Sequence, residues 1–175
     1  DSPVDALMWC VGDNNVCSYE TKVGEMFGDG FSEFENDSGK RQFENTRHLM
    51  ENSGGPLTVL IGLCREAGVE FFPRVRMNSH YLHQAPGSPL YGKFRVEHPE
   101  LLIGRPGEDI PEGTIDWDIR TGKDFAYAPV RDYMYSIITE LFERFDIDGL
   151  EMDFNRHPAF FRRAEAYQNR YMMTD

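Results

Sequence analysis

Four acidic residues fall within eight positions in the run DIDGLEMDFNRHP, Asp146 to Pro158: Asp146, Asp148, Glu151 and Asp153. The last two lie in LEMDF, which reads as a buried strand. Side chains alternate across a strand, so Leu150, Met152 and Phe154 share one face while Gly149, Glu151, Asp153 and Asn155 share the other. The same alternation in VEFFPRVRMN, Val69 to Asn78, groups Phe72, Arg74, Arg76 and Asn78 opposite Phe71, Pro73, Val75 and Met77. Two arginines are therefore expected to face two carboxylates across neighbouring strands, with the apolar sets meeting helices. Burying a charge is costly unless it is paired, and a fold that needed only stability would place Val, Ile or Leu at such positions. That cost favours a working site at Asp153, which with Arg76 lies nearest the C-terminal rim. Asn155, Arg156 and His157 follow it as rim or loop-anchoring residues. Glu151 and Arg74 lie deeper and also suit an ion-pair layer that only fills the interior.

The elements that would position these residues can be read along the chain. Ala6 to Val11 is a short apolar run with the pattern of a strand, followed by a polar, Gly-rich loop from Gly12 to about Lys40. In PLTVLIGLCREAG, Pro56 suits a first helical turn, Leu57, Leu60, Ile61, Cys64 and Ala67 recur at helical spacing, and Gly68 supplies the stop. Val69 to Asn78 follows as a strand, although Pro73 would be awkward in a central antiparallel ladder. Ser79 to about Tyr127 reads as one long loop, rich in proline and aromatic residues, and connections of that length are usually functional. The clearest helix is PVRDYMYSIITELFERF, with Val130, Met134, Ile137, Ile138, Leu141 and Phe145 in one stripe. The tail, Pro158 to Asp175, is basic and aromatic, with a helix expected.

The unit helix, tight turn, strand thus occurs twice, which implies parallel pairing and an α/β fold. Short turns before the strands and long loops after them are the asymmetry of (β/α)8 barrels, whose chemistry sits at the C-terminal strand ends. The strands expected here are too few to close such a barrel. Residues 1–175 are accordingly read as a single α/β domain, either a smaller open α/β sheet or, the reading favoured, a fragment of a longer (β/α)8 TIM-barrel catalytic domain. The start at Asp1, without Met and already close to a strand, fits an upstream segment removed or left out.

Composition narrows the partners. At 175 residues and 40% hydrophobic content the chain can bury one sizeable core. Thirty acidic against eighteen basic residues give a formal charge of −12, which argues against nucleic acid as a partner. No apolar run approaches the roughly 20 residues that span a bilayer, so no membrane is expected, and the N-terminus lacks a signal-peptide layout. Cys10, Cys17 and Cys64 match no zinc or redox spacing; reduced, partly buried thiols are expected, with a Cys10–Cys17 disulfide left open.

The run AYAPVRDYMYSIITELFERFDIDGLEMDF resembles the family 10-like glycoside hydrolases, a group of barrel proteins. HPELL, His98 to Leu102, is similar to that group's Asn/His-Pro-Glu segment, and CREAGVEFFPRVRMN to its helix-to-strand unit. The resemblance covers roughly Leu57 to Pro158. The strand end also resembles those of family 18 chitinases and α-amylase-type barrels. Against the chitinase-like pattern, Glu151 replaces an Asp and Asn155 replaces the catalytic Glu. The resemblance implies a (β/α)8 fold, a carbohydrate substrate and a strand-end carboxylate at Asp153, with Arg76, Asn78 and Arg156 as rim residues.

A glycosidase needs two carboxyl groups across the bond, about 5–5.5 Å apart for retention and ~6.5–9.5 Å for inversion. Glu151 and Asp153 would stand about 6.5–7 Å apart by strand rise. Asp153 is expected as nucleophile or base with Glu151 orienting it, and the second catalytic carboxylate on a later strand. Trp9, Trp117, Tyr81, Tyr91 and Tyr127 are candidates for stacking on sugar rings. His80, His83 and His157, with Arg74, Arg76 and Arg156, would suit an anionic sugar, because Arg binds carboxylate or sulfate in a bidentate way. No cofactor and no metal are expected. Two alternatives stay open: a non-catalytic carbohydrate-binding barrel, and a metal-dependent barrel hydrolase or isomerase using Glu151, Asp153, His157 and His80. A polysaccharide substrate would place the protein outside the cell or in the periplasm.

Overall fold

A computed structural model describes residues 3–13, 16–34, 36–80, 86–156 and 158–162. It is a mixed α/β structure built on one five-stranded sheet in the order β3-β2-β1-β4-β5. The strands are β1 (Ala6–Asp13), β2 (Val16–Cys17), β3 (Glu25–Met26), β4 (Glu70–Arg76) and β5 (Glu151–Asp153). β1–β4, β4–β5 and β2–β3 are parallel, and only β1–β2 is antiparallel.

Pro73 is tolerated because of where its missing N–H would point. Phe71 and Met77 direct their backbone groups toward the β5 side, to Asp148 and Asp153. By alternation Pro73 faces that side too, one residue below the first β4–β5 pair, Arg74 with Glu151. The ladder begins just after the position at which β4 has no donor to give.

α2 (Pro56–Ala67) and α5 (Ala128–Arg144) each begin with proline in the first turn, as expected. Gly68 closes α2 at φ 69°, a left-handed conformation that glycine takes without penalty. Leu57 and Cys64 of α2 and Met134, Ile137 and Leu141 of α5 pack on Val11, Phe71, Val75 and Met77 of the sheet. Leu7 and Trp9 lie on the same side of β1, so the other side of the sheet carries Met8, Cys10, Phe72, Arg74, Glu151 and Asp153. Met8 is 56% exposed there. Parallel sheets are ordinarily covered on both faces; here α2 and α5 pack on one.

The chain departs from expectation in four places. The stretch read as a loop from Gly12 to about Lys40 holds β2 and β3, and it leads into a helix that was not expected, α1 (Asp37–Ser53), capped by the Asn36 side chain and packed on α2. Ser79 to Tyr127 is not structureless: it holds α3 (Lys93–Glu97), a 3-10 turn at Pro99–Leu101 and α4 (Ile115–Ile119). Leu102 also bridges Lys123. Leu150 meets the helices, but Met152 and Phe154 do not and are 49% and 48% exposed; β5 is the last strand of the sheet, and no described element covers its flank. Residues 158–162 are not helical, and the rest of the expected tail helix lies outside the described residues. All three cysteines are free thiols.

Candidate functional site at the strand ends

The four acids of the Asp146–Pro158 run divide into two pairs with different partners. Asp146 and Asp148 turn to Arg65 at the end of α2, at 3.3 and 2.7 Å. Asp148 Oδ2 also accepts the Phe71 N–H at 2.8 Å, while its own N–H donates to Phe71 O at 3.1 Å. A side chain here replaces the backbone pairing that β5 has not yet begun. The Arg65 guanidinium and then the Phe71 amide hold the Asp148 carboxyl below its ordinary value, and the same pairing raises Arg65. Next along, Gly149 lies flat against Phe72: a Cβ there would stand 2.5 Å from the ring.

Glu151 and Asp153 turn to Arg74 on the open face. The register sets Arg74 beside Glu151 and Arg76 beside Asp153, the facing that strand alternation implies. Arg74 Nε lies 3.0 Å from Glu151 Oε1 and 3.4 Å from Asp153 Oδ2. It is aimed at neither closely enough for a hydrogen bond, so the contact is an ion pair shared by two acids. The Asp153 side chain is 6% exposed and that of Glu151 33%. Asp153 Oδ1 accepts the N–H groups of Asn155 and Arg156 at 3.0 and 2.9 Å, which closes the turn after β5. One carboxylate oxygen thus shapes the turn and the other meets the guanidinium.

The remaining expected site residues are distributed differently. Asn78 is 1% exposed, and both ends of its amide are engaged by backbone groups. His80 is half-buried with Nδ1 3.2 Å from Asp118 O, and burial pushes its pKa down despite that contact. Asn155 and Arg156 are exposed on the turn. Trp9 packs on the helix side of the sheet, away from the acids. Trp117 lies under the Arg120 guanidinium, 3.6 Å from its ring centroid, so one of its faces is taken. Tyr81, His83 and His157 lie outside the described residues.

Two polar clusters were not foreseen from the sequence. Arg105 bonds Asp124 at 2.8 Å and the Tyr127 hydroxyl at 2.9 Å, and Asp124 is almost wholly buried. Glu140, on the buried stripe of α5, accepts from Tyr19 Oη (3.2 Å), Thr21 Oγ1 (2.5 Å), the Lys22 N–H (2.5 Å) and Arg144 (2.7 Å). Burial pushes this carboxyl up, but the bonds from Thr21, Lys22 and Arg144 outweigh it and hold the pKa low. A glutamate on an otherwise apolar stripe was the available signal. Separately, a cavity of about 800 Å³ is lined by Glu20, Glu25, Asp29, Glu51 and Glu97 against Arg47 and Lys93, and includes none of Arg74, Glu151 and Asp153.

No family model and no curated protein matches this chain. No helix among the described residues is long and apolar enough to cross a membrane.

Proposed function

We propose that the chain is part of a (β/α)8 barrel glycoside hydrolase similar to the family 10-like group, acting on a polysaccharide or oligosaccharide through strand-end carboxylates. The observation that carries this reading is the Glu151–Arg74–Asp153 cluster on two adjacent parallel strands, on the side of the sheet away from α2 and α5, with Asp153 at the C-terminal end of β5. The strand end is where (β/α)8 enzymes work, and a charged triad leading up to it serves stability poorly compared with aliphatic residues. The open face supports the barrel, since further strands would cover it. Asp153 then acts as nucleophile or base, with Glu151 and Arg74 fixing its orientation, and a second carboxylate comes from another strand. Arg74, Arg76 and Arg156 favour substrates that carry carboxylate or sulfate groups.

The burial of Asp153 and the turn it closes favour one other reading, a carbohydrate-binding barrel without catalysis. Reducing-end release from neutral, uronic and sulfated polysaccharides by the full-length protein, wild type against Asp153→Asn, separates the two. Release that the substitution abolishes supports the glycosidase. Glycan binding with no product supports the binding barrel and ends the catalytic reading.

A further inference from the structure

Asn78 stands at the end of β4, where three chain segments meet. Its Nδ2 donates to Lys123 O at 2.9 Å and Ala159 O at 2.6 Å, and its Oδ1 accepts the Lys123 N–H and the Ser79 N–H, each at 3.0 Å. Both donors meet carbonyls and the oxygen meets two N–H groups, so the amide fits one way round. With Lys123 it makes the paired N–H and C=O contacts that a strand would make. The two segments it holds are also joined to each other: the Phe125 N–H donates to Phe160 O at 2.8 Å, and the two rings meet edge to face at 5.3 Å. In sequence, Ala159 and Phe160 come soon after Asn155 and Arg156, the residues of the turn that Asp153 closes.

We propose that Asn78 is a positioning residue for Asp153. It contacts no substrate; it fixes the far end of the segment whose near end is the Asp153 turn, and so holds the carboxylate at the strand end. The catalytic part of this role rests on the glycosidase reading, whereas the clasp itself does not. A carboxylate at this position would keep the two accepted bonds but set oxygen against the Lys123 and Ala159 carbonyls. Buried acids take up protons readily, and a protonated carboxyl restores one of the two donated bonds.

The test is hydrogen exchange and kinetics on the full-length protein carrying Asn78→Asp. Protection of the Phe125, Asn155 and Arg156 amides is expected to fall roughly tenfold or more while the α5 core amides keep theirs, with partial recovery as the pH is lowered. On a cleaved glycan, kcat should fall roughly 10- to 100-fold with KM changed far less, as expected of a misplaced group. Phe160→Ala, which loosens the same segment without touching β4, should lower protection at the same amides and serves if the first variant does not fold. Unchanged protection, or a rise in KM alone, overturns the proposal. Lost protection in a protein that cleaves no glycan keeps the clasp and removes the glycosidase reading instead.

Discussion

Replacing Glu140 by glutamine tests how the segment after β2 is held. At neutral pH the carboxylate takes four donors, two of them the Lys22 amide at 2.5 Å and the Arg144 guanidinium at 2.7 Å. Glutamine keeps an oxygen for these but loses the charge, at about 1 kcal/mol for each bond. Its –NH₂ then meets Thr21 Oγ1, which already accepts the Val23 and Gly24 N–H groups at 3.1 and 2.9 Å. The Thr21 and Tyr19 hydroxyl protons both lose this acceptor, adding about 1 kcal/mol each. The expected loss is about 4 kcal/mol, roughly a thousandfold in the unfolding equilibrium. Urea unfolding of the full-length protein at several pH values is the assay. Because the folded pKa lies below the ordinary carboxylate value, the wild-type advantage should be complete above that value and fade as the pH falls through the folded pKa. A difference under about 0.5 kcal/mol at neutral pH, or one that does not shrink in acid, would refute the account of Glu140.

Other consequences are quickly checked. Gly149→Ala forces a methyl against Phe72 and should cost about 1–3 kcal/mol in urea unfolding, as overpacked sites do; a neutral result would show that the ring moves aside freely. Burial raises the Cys17 thiol to about 12, so Cys17 should resist thiol reagents at pH 8 while the half-buried Cys10 is modified. Peptide mapping after brief labelling reads the order directly.

How much was legible in the sequence follows from which contacts are local. Strand alternation placed Arg74 and Arg76 opposite Glu151 and Asp153, because one periodicity governs both strands. The same rule applied to β1 puts Trp9 with Leu7 and Val11 on the helix side, so its place near a strand end was a poor guide to its surroundings. Asn78 lies at a rim position that suits a ligand contact, yet its partners come from residues 45 and 81 positions away, and no local pattern announces them. Asp148 is similar: its bond to Phe71 spans 77 positions. α1 escaped notice because it is polar overall, with Thr46 its one buried residue among those described, so its sequence reads as a continuation of the polar loop before it.

The division of the acidic run into an Arg65 pair and an Arg74 pair is best tested by comparing Asp148→Asn with Asp153→Asn in the full-length protein, measuring urea midpoint and glycan cleavage together. Asparagine at 153 can still accept the Asn155 and Arg156 amides, and Glu151 remains on Arg74, so the loss of stability should stay at about 1–2 kcal/mol in a protein that still folds, while cleavage is lost. Asparagine at 148 has one oxygen to serve both Arg65 and the Phe71 amide, so the urea midpoint should fall while the folded protein keeps its kcat. Full cleavage by folded Asp153→Asn, or an equal loss of cleavage in folded Asp148→Asn, would contradict the proposed assignment of Asp153 to function.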